Sequence, residues 1–248
     1  MDKSLYIAMT GAKETMNGQA IRANNIANVN TPGFRASLEQ QRSMPVFGDG
    51  FASRVYAGTE APGHSFKQGG LNNTDRQLDI AINGNGWFSV LGEDGSEAYT
   101  RRGDLTIDEN GVLLNGAGNV VLGIGGGPIT LPPARSIDIS ESGAINITPL
   151  TGDPGTVIFI DTIKTVNPDL KNLQQRSDGL FQNKDGTVAD ATTDVKIKSG
   201  VLESSNVNII GELVDSIALA RKYELDIKMM KTSEENDQVS ARILQYNA

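Results

Sequence analysis

Apolar residues change their spacing twice along this chain, and that change limits what it can fold into. Near the start they fall every three or four positions, at Leu5, Met9, Ala12, Met16, Ala20, Ala23, Ile26 and Ala27. That spacing draws one stripe down a helix. From about residue 207 it returns at Ile210, Leu213, Ile217, Ala220, Tyr223, Ile227 and Met230, and continues more weakly at Val239, Ile243 and Tyr246. Between the two ends the period is two, the residues are β-branched, and the punctuation is Gly, Asn and Asp. Leu78-Asp79-Ile80-Ala81-Ile82 alternates, Asn83-Gly84-Asn85-Gly86 turns, and Trp87-Phe88-Ser89-Val90 resumes an extended run, which predicts a hairpin. Further strands are predicted at 98–100, 105–107, 112–114, 120–122, 137–139, 157–162 and 195–198.

The expected fold class is α+β. An N-terminal and a C-terminal helix pair as a coiled-coil-like stalk, and a central all-β domain of short antiparallel strands lies between them. The expected divisions are a helix and turn over 1–34, a connecting extended segment over 35–75, a β-rich domain over 76–200 and a C-terminal helix over 201–248. Gly11 and Gly18 interrupt the first helix, and Thr31-Pro32-Gly33-Phe34 ends it with the Pro and Gly placement of a type II turn. At about 1.5 Å per residue the two helices reach roughly 40 and 55 Å. A small β domain does not need that length to be covered. Their stripes must be buried somewhere, and two paired helices offer each other only part of that burial. The ends are therefore expected to be wholly or partly disordered before assembly.

Composition narrows the function. Glycine occurs 28 times in 248 residues, above the usual share of about 7%, as many short turns require. A net charge of -8 disfavours binding to phosphate backbones, so no nucleic-acid partner is expected. The chain has no cysteine, which removes thiolate chemistry and disulfides. No run approaches the about 20 apolar residues of a membrane span. The run Leu5 to Met9 is too short for a secretory signal, so either cytoplasmic retention or a route without a cleaved signal is expected.

The single histidine, His64, follows Pro62-Gly63 in a loop, so no His triad or multi-His metal site is expected. The Gly-rich run 123–127 leads into Pro128-Ile129-Thr130, an extended pattern without the helix a phosphate loop needs. Asp104, Asp108 and Asn110 are spaced faintly like a calcium loop but lack its terminal Glu. No catalytic residue, metal or cofactor is predicted.

Two segments far apart carry a family signature. Ala23-Asn24-Asn25-Ile26-Ala27-Asn28-Val29-Asn30-Thr31-Pro32-Gly33-Phe34 resembles the N-terminal motif of the flagellar rod and hook proteins. Gly200-Val201-Leu202-Glu203-Ser204-Ser205-Asn206-Val207-Asn208, followed by Glu212-Leu213-Val214 and by Ala220-Arg221-Lys222-Tyr223-Glu224, resembles their C-terminal motif. Gln68-Gly69-Gly70-Leu71, the 78–88 segment, Tyr99-Thr100-Arg101-Arg102-Gly103 and Asp178-Gly179-Leu180-Phe181 resemble the β region between. The connection from Phe34 to Gln68 is short for the family, and Trp87 stands where Phe is commoner.

The resemblance implies a structural subunit of the rod. Such a subunit is exported by the flagellar export apparatus without a cleaved signal, and assembles with other rod subunits in the periplasm through its terminal helices. The tube encloses the export channel and transmits torque. An exported glycan-binding module and a peptidoglycan hydrolase are the competing classes. The residues expected to make subunit contacts are Leu5, Met9, Ala12, Met16, Ala23, Asn24, Asn25, Ile26, Asn28, Leu202, Glu203, Asn206, Val207, Leu213, Ile217, Ala220, Arg221, Tyr223, Ile227 and Met230. Among them, Asn206 suits a helix N-cap. The Asn cluster reads either as capping at a helix end or as amide bonding across subunits. Glu203 reads as a partner of Arg221 or of a neighbouring subunit, or as a solvated carboxylate. Trp87 and Phe88 alternate on one strand, so one is expected in the core and the other on solvent or a partner.

Overall fold

The computed structural model describes residues 4–45, 55–150 and 156–246. They form two units, each assembled from separated pieces of chain: 1–29, 35–65 and 207–248 in the first, 30–34 and 66–206 in the second.

The first unit holds α1 (Ser4–Ala27), β1 (Ser37–Pro45), β2 (Val55–His64) and α2 (Ile209–Tyr246). The helices run antiparallel: Gly11 lies against Asp226, while Arg22 and Asn25 reach Glu212. The Oδ1 of Asn208 accepts the Gly211 N–H at 3.3 Å, so Asn208 rather than Asn206 caps α2. Glu212 then places a carboxylate in the first turn, where the helix dipole favours it. Segment 35–75, expected as an extended connection, contains an antiparallel hairpin of β1 and β2, pairing Ser37 with His64 at one end and Pro45 with Val55 at the other, with a register shift between Leu38 and Gln40.

The second unit contains β3 (Leu71–Asn73), β4 (Ile80–Asn83), β5 (Trp87–Leu91), β6 (Glu97–Thr100), β7 (Leu105–Ile107), β8 (Leu113–Asn115), β9 (Val120–Val121), β10 (Ala134–Ile139), β11 (Ala144–Pro149), β12 (Ile158–Thr162), β13 (Thr165–Val166), β14 (Leu173–Gln175), β15 (Phe181–Asn183), β16 (Lys196–Ser199) and β17 (Val201–Glu203). An eight-stranded antiparallel sheet runs β14-β15-β6-β5-β9-β8-β7, with β13 also paired to β5. The other sheets are β10-β11-β12, β16-β4 and β17-β3. The late strands β16 and β17 thus pair with the early ones β4 and β3, so the unit closes only when chain near residue 200 returns to chain near residues 70–83.

Strand alternation places Phe88 and Val90 with Ile80, Ile82, Leu105 and Ile145 in the main core. Trp87 points the other way, but it does not reach solvent. It is 2% exposed in a second cluster with Tyr99, Val166, Leu173 and Phe181. Its ring centroid is 4.9 Å from that of Phe181 and 5.9 Å from that of Phe66. Both faces of β5 are covered, because the Leu173–Phe181 hairpin supplies a second apolar layer. Trp87→Ala is accordingly expected to cost about 3–5 kcal/mol, read from urea unfolding. A loss comparable to that of an exposed aromatic would mean that the second cluster contributes little.

Candidate assembly site

In the second unit, a buried ion pair gathers the motif segments. Arg101 Nη1 lies 3.2 Å from Glu203 Oε2, with side-chain exposures of 5% and 0%. The second Arg101 nitrogen, Nη2, donates to the Gly84 carbonyl at 2.6 Å. The guanidinium carbon stands 5.6 Å from the Trp87 ring centroid, close enough for a cation–π contribution. Glu203 Oε1 accepts the Gly69 N–H at 3.0 Å. The Glu203 backbone carbonyl accepts the Gly33 N–H at 2.8 Å, which fastens the Thr31-Pro32-Gly33-Phe34 turn to β17. Asn206 adds two bonds, its N–H to the Phe34 carbonyl at 3.4 Å and its Nδ2 to the Lys67 carbonyl at 2.9 Å.

Local chemistry explains the glycines here. Gly33 has φ of +68°, as the third position of its turn demands, and Phe34 N–H closes that turn onto the Thr31 carbonyl. A Cβ on Gly69 would sit 1.9 Å from the Ser204 carbonyl oxygen, so only glycine lets these backbones pass. Nearby, the Tyr99 hydroxyl accepts the Ala189 N–H at 2.7 Å, and burial pushes its phenol pKa up.

A second polar node sits in the first unit. Asn25 is fully buried, and its amide pairs twice with the Ser37 backbone: Oδ1 accepts the N–H at 2.9 Å and Nδ2 donates to the carbonyl at 3.0 Å. Nδ2 also donates to Glu212 Oε1 at 3.2 Å. Arg22 Nη1 grips both Glu212 oxygens at 3.2 and 3.1 Å. This explains a residue that helices otherwise disfavour: Asn25 fixes the start of β1 against both helices.

The fully buried residues of the two helices are small or polar. Ala8, Ala12, Thr15 and Asn25 are buried on α1, and Glu212 on α2. The apolar stripe read from sequence only partly overlaps this face, at Ala12 on α1 and at the half-buried Ala220, Tyr223 and Met230 on α2. Leu5, Met9, Met16 and Ala23 are exposed on α1, Met16 at 56%. On α2, Leu213, Ile217, Arg221 and Ile227 are exposed, while Ala220, Tyr223 and Met230 are half-buried. Asn24 is exposed, and Ile26 and Asn28 are half-buried. Of the C-terminal motif residues, Leu202, Asn206 and Val207 are half-buried.

One reading is corrected: Glu203 is neither solvated nor paired with Arg221; it is buried against Arg101. Within the chain, Asn25 bonds to Ser37 and Glu212. Sequence reasoning also missed Arg22, Arg101 and Glu212 as node residues. Arg101 and Glu212 lay within the quoted motifs, which was the available signal.

A β unit closed by both flanks of the terminal helices, with apolar helix faces left uncovered, defines a protein built to be joined to others. The comparisons agree. Residues 5–35 match the family described as flagella basal body rod protein. Residues 81–147 match the flagellar hook protein FlgE/F/G D1 domain, and residues 198–243 the flagellar basal body rod FlgEFG protein C-terminal region. The chain is 38% identical over 243 residues to the flagellar basal-body rod protein FlgF of Salmonella typhimurium, covering 96% of each chain. It is 33% identical over 242 residues to FlgF of Caulobacter vibrioides, covering 95% of each. It is 31% identical over 262 residues to the rod protein FlgG of Bacillus subtilis, covering 95% of this chain and 96% of the relative. The chain belongs to the flagellar basal-body rod protein family and is a structural protein, not an enzyme.

Proposed function

We propose that this chain is a FlgF-type subunit of the proximal rod, joined to rod neighbours through the outward faces of its terminal helices. The observation that supports this reading most directly is the placement of Leu5, Met9, Met16, Leu213, Ile217 and Ile227, all apolar and all exposed. Each returns about 1.5–3 kcal/mol when fully buried, and a tube repeats that gain at every subunit. In the assembled state the helix pair packs in coiled-coil fashion with its neighbours, encloses the export channel and transmits torque. The half-buried Leu202, Asn206 and Val207 belong to the same assembly surface. The subunit passes through the flagellar export apparatus without a cleaved signal and assembles in the periplasm.

Leu213→Asp combined with Ile217→Asp is the test. Both positions are exposed, so unfolding of the purified chain is expected to shift by no more than about 0.5 kcal/mol per site. Swarming on soft agar and recovery of the subunit in isolated basal bodies should both be lost. Normal swarming with normal incorporation would contradict the helix-face reading. FlgG also matches along nearly the whole length, so a distal-rod role is the second reading. Rescue of a strain lacking FlgF, but not of one lacking FlgG, separates the two.

A further inference from the structure

We propose that the Asn85–Gly86 peptide is a site of spontaneous covalent modification, where the Asn85 amide converts to aspartate and isoaspartate. In this reaction the Gly86 backbone nitrogen loses its proton to solvent base and attacks Cγ of Asn85. A C–N bond forms, the side-chain amide leaves as ammonia, and a five-membered imide remains. Water then opens either carbonyl, giving aspartate or an isoaspartate whose main chain is one carbon longer. Asn followed by Gly suits this chemistry because no Cβ hinders the attack.

The sequence offers five Asn-Gly pairs, and the structure separates them. Asn17-Gly18 lies inside α1, where the helix holds the backbone. Asn115 is 2% exposed, and its Oδ1 accepts the N–H groups of Ala117 and Asn119. At Asn110-Gly111 both reacting groups are engaged: the Gly111 N–H donates to the Asp108 carbonyl, and Asn110 Nδ2 reaches Asp108 Oδ2 at 3.4 Å. Asn83 is held in β4 opposite Lys196, and the Gly84 carbonyl beside it is held by Arg101. Asn85 is exposed and lies between β4 and β5, and among the described residues neither its side chain nor the Gly86 N–H has a hydrogen-bond partner.

The consequence reaches the buried ion pair. Gly86 adopts φ of +130° and is seated so closely that a Cβ on it would stand 2.4 Å from Val195 Cγ2. A longer main chain at residue 85 displaces this seat and the Gly84 carbonyl that binds Arg101.

The test uses the full chain, incubated at neutral and at mildly alkaline pH, digested and mapped by mass spectrometry. Isoaspartate is labelled by protein isoaspartyl methyltransferase. Conversion at Asn85 is expected to run about ten-fold faster than at each of the other four pairs, and faster at the higher pH. Asn85→Gln, whose longer side chain disfavours the five-membered ring, should remove the dominant label. The proposal is overturned if Asn83 or Asn110 converts as fast as Asn85. It is also overturned if Asn85 stays an amide while an unstructured peptide of the same local sequence converts, or if the label persists in Asn85→Gln.

Discussion

Glu203→Gln is expected to destabilise the chain by about 3–5 kcal/mol, although it changes one atom's chemistry and almost no volume. The reason lies in what remains. Arg101 is buried and keeps its charge, and the Glu203 carboxylate 3.2 Å away is its ionic partner. A Gln there can still accept the Gly69 N–H through its carbonyl oxygen. Its NH2 group then faces Arg101 Nη1, setting donor against donor. Burying an unpaired guanidinium is the costly outcome, far more than the intact pair contributes in the wild-type chain.

Arg101→Met should cost a similar amount, because it strands a carboxylate in the same place. Arg101→Met with Glu203→Met together should recover a large part of the loss, since no unpaired charge is left. Urea unfolding of the wild type, Arg101→Met, Glu203→Met and the double variant closes the cycle. A coupling energy below about 1 kcal/mol, the range of exposed pairs, would show that solvent reaches the site and that the node does not hold the motifs together.

How much of this could be read from sequence depended on the range of the interactions. The helices were legible because steps of three and four persist over long stretches, and α1 and α2 follow them closely. The strands β4 and β5 and the turn between them were legible because Asn83-Gly84-Asn85-Gly86 interrupts a clear alternation, but the hairpin expected there does not form: β4 pairs with the distant β16, and β5 with β6, β9 and β13. The hairpin of β1 and β2 was not: Ser37-Leu38-Glu39-Gln40-Gln41-Arg42 shows no apolar alternation, since most of β1 is exposed. What covers the helix stripes was not legible. Periodicity locates an apolar face but does not say what covers it, and here the fully buried helix residues are small or polar. Arg101 and Glu203 stand 102 positions apart, so their pairing leaves no local trace. Only their placement inside matching motifs marked them. Trp87 was misread for a related reason, because alternation assigns two faces and cannot report that both are covered.

Gly33→Ala is expected to be strongly destabilising for a single added methyl. Its φ of +68° lies in the left-handed region, which alone costs an L-residue about 1–2 kcal/mol. The added Cβ would also lie 2.4 Å from both the carbonyl carbon and oxygen of Arg101, and 2.6 Å from the Arg102 nitrogen. These are backbone atoms next to β6, so no rotamer change relieves the overlap. Relief requires moving the turn, which breaks the Gly33 N–H bond to the Glu203 carbonyl, or moving Arg101, which breaks its ion pair. Gly95→Ala provides the control. Its φ of +77° imposes the same backbone penalty, yet a Cβ there meets nothing within 4 Å. Thermal unfolding should therefore show a small drop for Gly95→Ala and a much larger one for Gly33→Ala, with motility lost only in the latter. Equal drops would mean that the close approach of the turn to Arg101 relaxes without cost, and that the turn conformation alone accounts for the glycine.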